Sequence, residues 1–433
     1  MKRKSILVCI FILLTFVLIS CTNSKDVYVI SNEFFENKLL LLKEGEAYKI
    51  NYEDILNNKF SYEIEEYNYI LGSCREEEGA DILFEDERLD PNFKLYGDSE
   101  CLELSNDVIT AKGLGRVTVN ILIKMKRYSS NSWRELLCCP ILEVVVTDAY
   151  YSNFKRINNG EDFAGLQDSS NLFLLNHSLD LKGSKEGINF SGVLINPYNY
   201  SIDLTLDEDH ERLFMNLKYA VIDNIKISHL QVFFQRGIRN LDLFSYKVKN
   251  SCLSNILIQE IIVQSEDSNQ IVFCDSCECS TFSNIEIHTS EQLKTNRFYV
   301  FGSIQSSVFI KNLIFLNYSQ TIGMCGIAFM VESTVANSTY ALPYERKNED
   351  AFEVYNILFI NKSSHEKIEC GFQYFNVISQ YPFGKDKVFY SVGFNATDDL
   401  FINKTIEEVT SGESLFTSGE FKFEKGKLPT LFY

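Results

Sequence analysis

The chain has 433 residues, a formal net charge of −18 and a hydrophobic fraction of 45%. That apolar content supplies cores for two or three domains and excludes a disordered stalk. The negative charge opposes a phosphate backbone and argues against nucleic acid as a partner.

Lys2, Arg3 and Lys4 precede an apolar run from Ile6 to Ile19, which is 14 residues long. A membrane-spanning helix needs ~20, so residues 1–20 read as an export leader rather than a span. Leu18-Ile19-Ser20-Cys21 closes the leader and resembles the lipobox of bacterial lipoproteins. The resemblance implies diacylation of the Cys21 sulfur, cleavage before it, and residues 21–26 as a lipid-anchored tether. Two or three acyl chains at ~0.8 kcal/mol per buried CH₂ hold a protein permanently, where one chain binds marginally. The expected location is the bacterial cell envelope, anchored in a membrane by the N-terminal lipid and exposed at the surface. An ordinary cleaved signal peptide with an incidental cysteine, or an uncleaved anchor, is the alternative.

Residues 27–149 read as strands throughout. The runs 27–30, 39–42, 47–52, 117–123 and 142–147 are short, alternating or β-branched, and Gly45, Gly72, Gly113 and Gly115 break them, as in an antiparallel sandwich. The segments 40–48 and 102–119 resemble the start and end of bacterial group 2 immunoglobulin-like domains. The resemblance implies a hairpin, a glycine-rich turn at 113–115 whose glycines take positive φ, and a long final strand. An acidic insertion around 76–78 and 85–87, and a second insertion at 129–133 that interrupts the final strands, depart from that pattern.

From residue 150 the texture changes. Asn224-Ile-Lys-Ile227, Asn240-Leu-Asp-Leu243, Asn255-Ile-Leu-Ile258, Asn284-Ile-Glu-Ile287, Asn312-Leu-Ile-Phe315 and Asn356-Ile-Leu-Phe359 repeat one short motif at separations of 16, 15, 29, 28 and 44 residues. Unequal periods suit a right-handed parallel β-helix, whose coils share core strands but carry loops of different length. Asparagine tolerates the left-handed conformation of a sharp corner, and its amide can bond the asparagine one coil away, ~4.8 Å along the stack. The Ile-x-Ile that follows aims two apolar side chains at the core. A sandwich with asparagine-rich turns is the alternative.

The flanks, 158–166, 173–183, 190–194, 201–204 and 421–431, resemble the opening and closing segments of GLUG-type bacterial surface β-helices, although the repeat that names that group is not present. The fold class is therefore all-β: an immunoglobulin-like β-sandwich at 27–149, followed by a right-handed parallel β-helix at 150–433.

Residues that could carry chemistry are few. Asp207-Glu-Asp-His-Glu-Arg212 is the densest polar cluster, but consecutive side chains diverge, and it reads as a solvated turn. Asp398-Asp399 superficially matches the paired aspartates of polygalacturonases, without the Gly-His-Gly and Arg-x-Lys segments of that family. Cys274-Asp-Ser-Cys277-Glu-Cys279 has spacing compatible with a metal site, with His288 or Cys252 as a fourth ligand. Packing of Cys277 and Cys279 on one strand face is the favoured reading, and a disulfide the other alternative. Eight Asn-x-Ser/Thr sequons, among them Asn176, Asn199, Asn337 and Asn403, carry little weight in so asparagine-rich a chain. Trp133 is the one tryptophan, so a sugar platform would have to use tyrosines.

The expectation is a lipid-anchored surface protein that displays its β-helix for adhesion or for binding a polysaccharide or host-surface ligand, with no cofactor and no catalytic residue assigned. The alternatives are a polysaccharide lyase or glycoside hydrolase using the β-helix face, and a structural envelope protein. Aligned charged residues on one outer sheet face would favour the enzyme. Aromatic and polar residues spread over several coils would favour binding.

Overall fold

The computed structural model describes residues 28–31, 37–50, 63–72, 100–126, 134–183, 186–207, 212–233, 240–264, 270–304, 308–332, 352–364, 368–371, 375–376, 389–396, 401–416 and 421–431. Cys21, Trp133, Asp209, Asn337 and Asp398-Asp399 lie outside them. The chain divides into two compact units, 1–33 with 44–144 and 34–43 with 145–433. Residues 34–43, which the sequence reading runs together with the N-terminal domain, thus group with the second unit.

The first unit is built from strands. Glu63–Leu71 pairs antiparallel with Gly115–Lys126, next to Arg134–Thr147, whose first residues pair in parallel with Tyr28–Ser31. Ala47–Lys49, Val108–Ala111 and Leu102–Ser105 form an antiparallel sheet of three. Alternation drives this fold: Val117, Val119 and Ile121 on one strand and Ile109 and Ala111 on another are all buried. Inside the unit Glu143 accepts from Arg116 Nε at 3.2 Å and Thr118 Oγ1 at 3.0 Å.

The glycine turn differs from expectation. Gly113 and Gly115 are not at positive φ; the hairpin's left-handed residue is Asn106, at φ 55°. Gly115 is required for a different reason, because a Cβ there would stand 2.9 Å from Cys101 Cβ. Close approach, not backbone conformation, fixes that glycine.

The second unit is dominated by two long parallel sheets, an arrangement compatible with a β-helix. One contains Leu172–Leu175, Val193–Ile195, Val221–Phe233, Cys252–Ile258, Thr281–His288, Val308–Asn317 and Phe352–Asn361, each paired with the next. The other contains Phe214–Lys218, Asn240–Lys249, Gln270–Glu278, Arg297–Ile304 and Met324–Glu332. The chain alternates between them, so each strand pairs with the one a full coil later.

Residues after the repeated asparagines face inward and are fully buried, including Ile225, Ile227, Ile285, Ile287 and Phe315. Phenylalanines continue the stacking: Phe214, Phe244 and Phe273 follow one another with ring centroids 5.4 and 5.0 Å apart. Such stacks add to area burial through ring quadrupole contacts.

Two segments cover the outer face of the first of these sheets. Leu39 and Leu41 of the strap strand Lys38–Lys43 pack against Val193, Ile195, Val221 and Cys252. At the other end, Val409, Phe416, Phe421 and Leu431 cover Ile314, Leu316, Leu358 and Ile360. There the Leu431 backbone N–H donates to the buried Glu286 carboxylate at 3.0 Å. No helix among the described residues is long and apolar enough to cross a membrane.

Candidate functional site

The corner of the asparagine-bearing sheet is an amide ladder. Asn224, Asn255, Asn284, Asn312 and Asn356 all adopt φ between 54° and 59°. Asn284 Nδ2 donates to Asn255 Oδ1 at 2.8 Å, Asn312 to Asn284 at 2.8 Å, and Asn356 to Asn312 at 2.9 Å. Asn240 does not belong: it lies in the opposite sheet, paired with Gln270. Its removal merges the two short spacings into one coil of 31 residues, and the false match arose because Leu241-Asp-Leu243 has the same alternation. Asn199 is the member that the motif missed. It sits at φ 56° and accepts from Asn224 Nδ2 at 2.7 Å, but Tyr200-Ser201 follows it instead of an apolar pair.

One rung is an acid. Asn255 Nδ2 donates to Asp223 Oδ1 at 2.7 Å, where Ser254 Oγ also donates at 2.6 Å. Burial pushes the Asp223 pKa up, against the lowering effect of its hydrogen bonds. Between the ladder and the strap strand runs a groove of about 360 Å³. Its lining includes Asp223, Ser254, Ser283 and Lys311, which occupy one register row over four successive coils, with Lys38 and Leu39 on the strap side.

A tyrosine face opens on the first coils. Tyr151 lies edge-on to Tyr198, centroids 6.4 Å apart; Tyr198 lies 5.9 Å from Tyr200, and Tyr200 lies 6.0 Å from the exposed His177. Tyr150, 77% exposed, stands beside Tyr151 in the chain. The loops that carry these rings are fixed. Buried Asn196 closes the Tyr198–Tyr200 loop, donating to Tyr200 O at 2.8 Å and accepting from Tyr200 N at 2.9 Å. Asp148 Oδ1 accepts the N–H groups of Tyr150 and Ser152, each at 2.9 Å; bonds from Ser152 lead the causes holding its carboxyl below the ordinary range. Arg156 donates to Asn176 Oδ1 at 2.8 Å and to Tyr150 O at 3.1 Å. Rings, amides and a guanidinium thus share one surface.

Two charged groupings among the described residues bear on the enzyme alternative: on the asparagine-bearing sheet exposed His229 stands 2.9 Å from Asp203 Oδ1 and 3.6 Å from Glu260 Oε2, and the opposite sheet carries the second. Arg212 lies 4.0 Å from Asp242 Oδ2 and 5.3 Å from the Tyr246 ring centroid. Asp275 is one coil beyond, its carboxyl folded over Gly302, where a Cβ would stand 2.4 Å from Oδ1. Burial raises the Asp275 pKa and Arg212 opposes this. Arg212 and Asp242 are both largely buried, and Arg212 thus faces two acids, Asp242 and Asp275, while its buried Nε has no hydrogen-bond partner. On the asparagine-bearing sheet the outer row Lys226, Leu257, Glu286, Ile314, Leu358 holds no charge series, whereas exposed Asp180, Asp203 and His229 align over three successive paired strands.

Cys274 and Cys277 are buried in the core, and burial drives the Cys274 thiol pKa well up. Cys279 does not share their face, contrary to the sequence reading. It sits beyond the strand at φ 46°, at the turn position that Tyr219 and Asn250 take on the preceding coils. Cys252 lies on the outer side, its Sγ donating to Asn37 O at 3.3 Å. Among the described residues no three His, Cys, Asp or Glu side chains converge to hold a metal ion. Comparison with protein-family models, curated proteins and solved structures finds no match for this chain.

Proposed function

We propose that this is a lipid-anchored surface protein that binds an extended carbohydrate on the tyrosine face of its second unit. One observation carries the reading: exposed Tyr198 and half-buried Tyr200 of one loop, with half-buried Tyr151 edge-on beside Tyr198, gather aromatic surface on loops held by Asn196 and Asp148. Sugar rings offer apolar C–H faces and hydroxyl edges. Aromatic rings cover the first, and amides with a guanidinium bond the second. Loops already fixed lose little freedom on binding, so more of the contact energy appears as affinity.

In the same reading the first unit is an immunoglobulin-like spacer of the bacterial group 2 type. The second is a right-handed parallel β-helix of the GLUG architecture, and Cys21 carries the lipid that holds both at the cell surface.

Detergent-solubilised full-length protein should bind members of a glycan panel, and the double variant Tyr198→Ala, Tyr200→Ala should weaken that binding by about ten-fold or more, as for central aromatic anchors. Unchanged affinity would remove the tyrosine face from the reading. Release of reducing or unsaturated sugar ends, lost in Asp275→Asn, would make the protein a carbohydrate-active enzyme. Cys21→Ala should abolish palmitate incorporation, and a variant that still labels has no lipid at Cys21.

A further inference from the structure

The cysteines among the described residues are all thiols, and their placement sets one pair apart. Cys274 and Cys277 share a strand. At ~3.3 Å per residue their Cα atoms stand roughly 10 Å apart along it, beyond the ~7 Å that a disulfide can bridge. Cys279 sits at its turn, and Cys252 donates to Asn37 O. Cys325 and Cys370 are placed differently. Cys370 of Glu369–Gly371 lies directly opposite Cys325 of Met324–Glu332, in parallel register. Neighbouring strands run ~4.8 Å apart, inside the ~4.4–6.8 Å Cα window of a disulfide. Both side chains leave their strands on the core face, and both are fully buried.

The pair also stands where the sheet thins. Met324–Glu332 has nine residues, but the next coil pairs with it only through Glu369–Gly371 and Phe375–Asn376, of three and two residues. Strands so short contribute few ladder hydrogen bonds to hold the coil.

We propose that Cys325 and Cys370 are oxidised to a disulfide as the exported chain folds, a covalent staple between two coils at the thin end of the sheet. The two thiols lose two protons and two electrons and one S–S bond forms. The electrons reduce the disulfide of a thiol oxidoreductase, or of oxidised glutathione in vitro, whose sulfurs leave as thiols. The proposal rests on the export reading for its oxidising compartment. Thiols buried in apolar surroundings are inert, so the bond closes before the coils pack and is afterwards shielded from reductant. Residues 326–369 become a closed loop, and cross-linking a loop of that length restricts the unfolded chain strongly.

The test is to unfold the full-length protein, refold it in glutathione redox buffer, block residual thiols with maleimide under denaturant, and map peptides without reduction. A linked Cys325–Cys370 peptide, lighter by two hydrogens than its reduced halves, should appear. Protein refolded in dithiothreitol should melt roughly 5 °C lower, and the double variant Cys325→Ala, Cys370→Ala should melt equally in both buffers. Recovery of both cysteines as maleimide adducts after oxidative refolding overturns the staple, as does a link from either one to a different cysteine. Protein from the envelope fraction of the expressing cell should carry the same link. Maleimide-reactive Cys325 and Cys370 in that fraction overturn oxidation in the cell. Recovery of the protein from the cytosol alone overturns the export reading, while the refolding result still decides the pairing.

Discussion

Asn284 Nδ2 donates to Asn255 Oδ1 at 2.8 Å, and both residues stand at φ near 55°. The same side chain therefore satisfies two demands, a left-handed corner and a bond to the coil below. Asn284 also accepts from Asn312. Asn284→Ala should lose both bonds and strain the corner, at about 1 kcal/mol per bond and 1–2 kcal/mol for the left-handed backbone. Asn284→Gly loses the bonds but not the conformation and should be the milder variant. Urea midpoints of the two variants decide it; a glycine variant no better than alanine would mean that the corner's φ costs nothing.

Asp223 gives the corner a pH dependence. Burial raises its folded-state pKa above the ordinary value of 3.8, so the native state holds this proton more tightly than the unfolded chain. The stabilising contribution is fully present below about pH 3.8 and is lost as pH rises through the raised value. Asp223→Asn keeps an acceptor for Ser254 and Asn255 without the charge. Relative to native protein the variant should gain stability from pH 3.5 to pH 7, read from Tm at each pH, and parallel curves would show that the carboxyl does not titrate across that range.

In the first unit Arg116 and Glu143 are each 11% exposed and 3.2 Å apart. Removing one partner of such a pair strands the other charge, at roughly 3–5 kcal/mol. Arg116→Met should cost about that, whereas Arg116→Met with Glu143→Leu should recover most of it. A double variant as unstable as the single one, by urea denaturation, would point to lost packing instead.

Gly192 belongs to a tight approach. A Cβ there would lie 2.1 Å from Asn171 O and 2.7 Å from the Phe190 ring, and those are backbone and core atoms that cannot yield cheaply. Gly192→Ala should therefore destabilise the first coils by more than the ~1 kcal/mol typical of point mutants. Hydrogen exchange of the Leu172–Ile195 region measures it, and unchanged protection would refute the clash.

The alternation of Val117, Val119 and Ile121, and the Asn-Ile-x-Ile motif at Asn224, Asn255 and Asn284, determined strands, buried faces and an asparagine-bonded corner, because period-two patterning and left-handed tolerance are local properties of a residue and its neighbours. Local pattern could not separate Asn240 from the ladder, nor admit Asn199 to it, since membership depends on which strand stands one coil away. The same limit hid Asp223 as a rung, Cys279 as a turn residue, and Gly115 as a point of contact with Cys101. The tyrosine face and the groove beside the ladder were least legible of all. Tyr151, His177 and Tyr198, like Asp223 and Lys311, are tens of residues apart in sequence, and only the stacking of parallel coils, one strand spacing at a time, brings each set together.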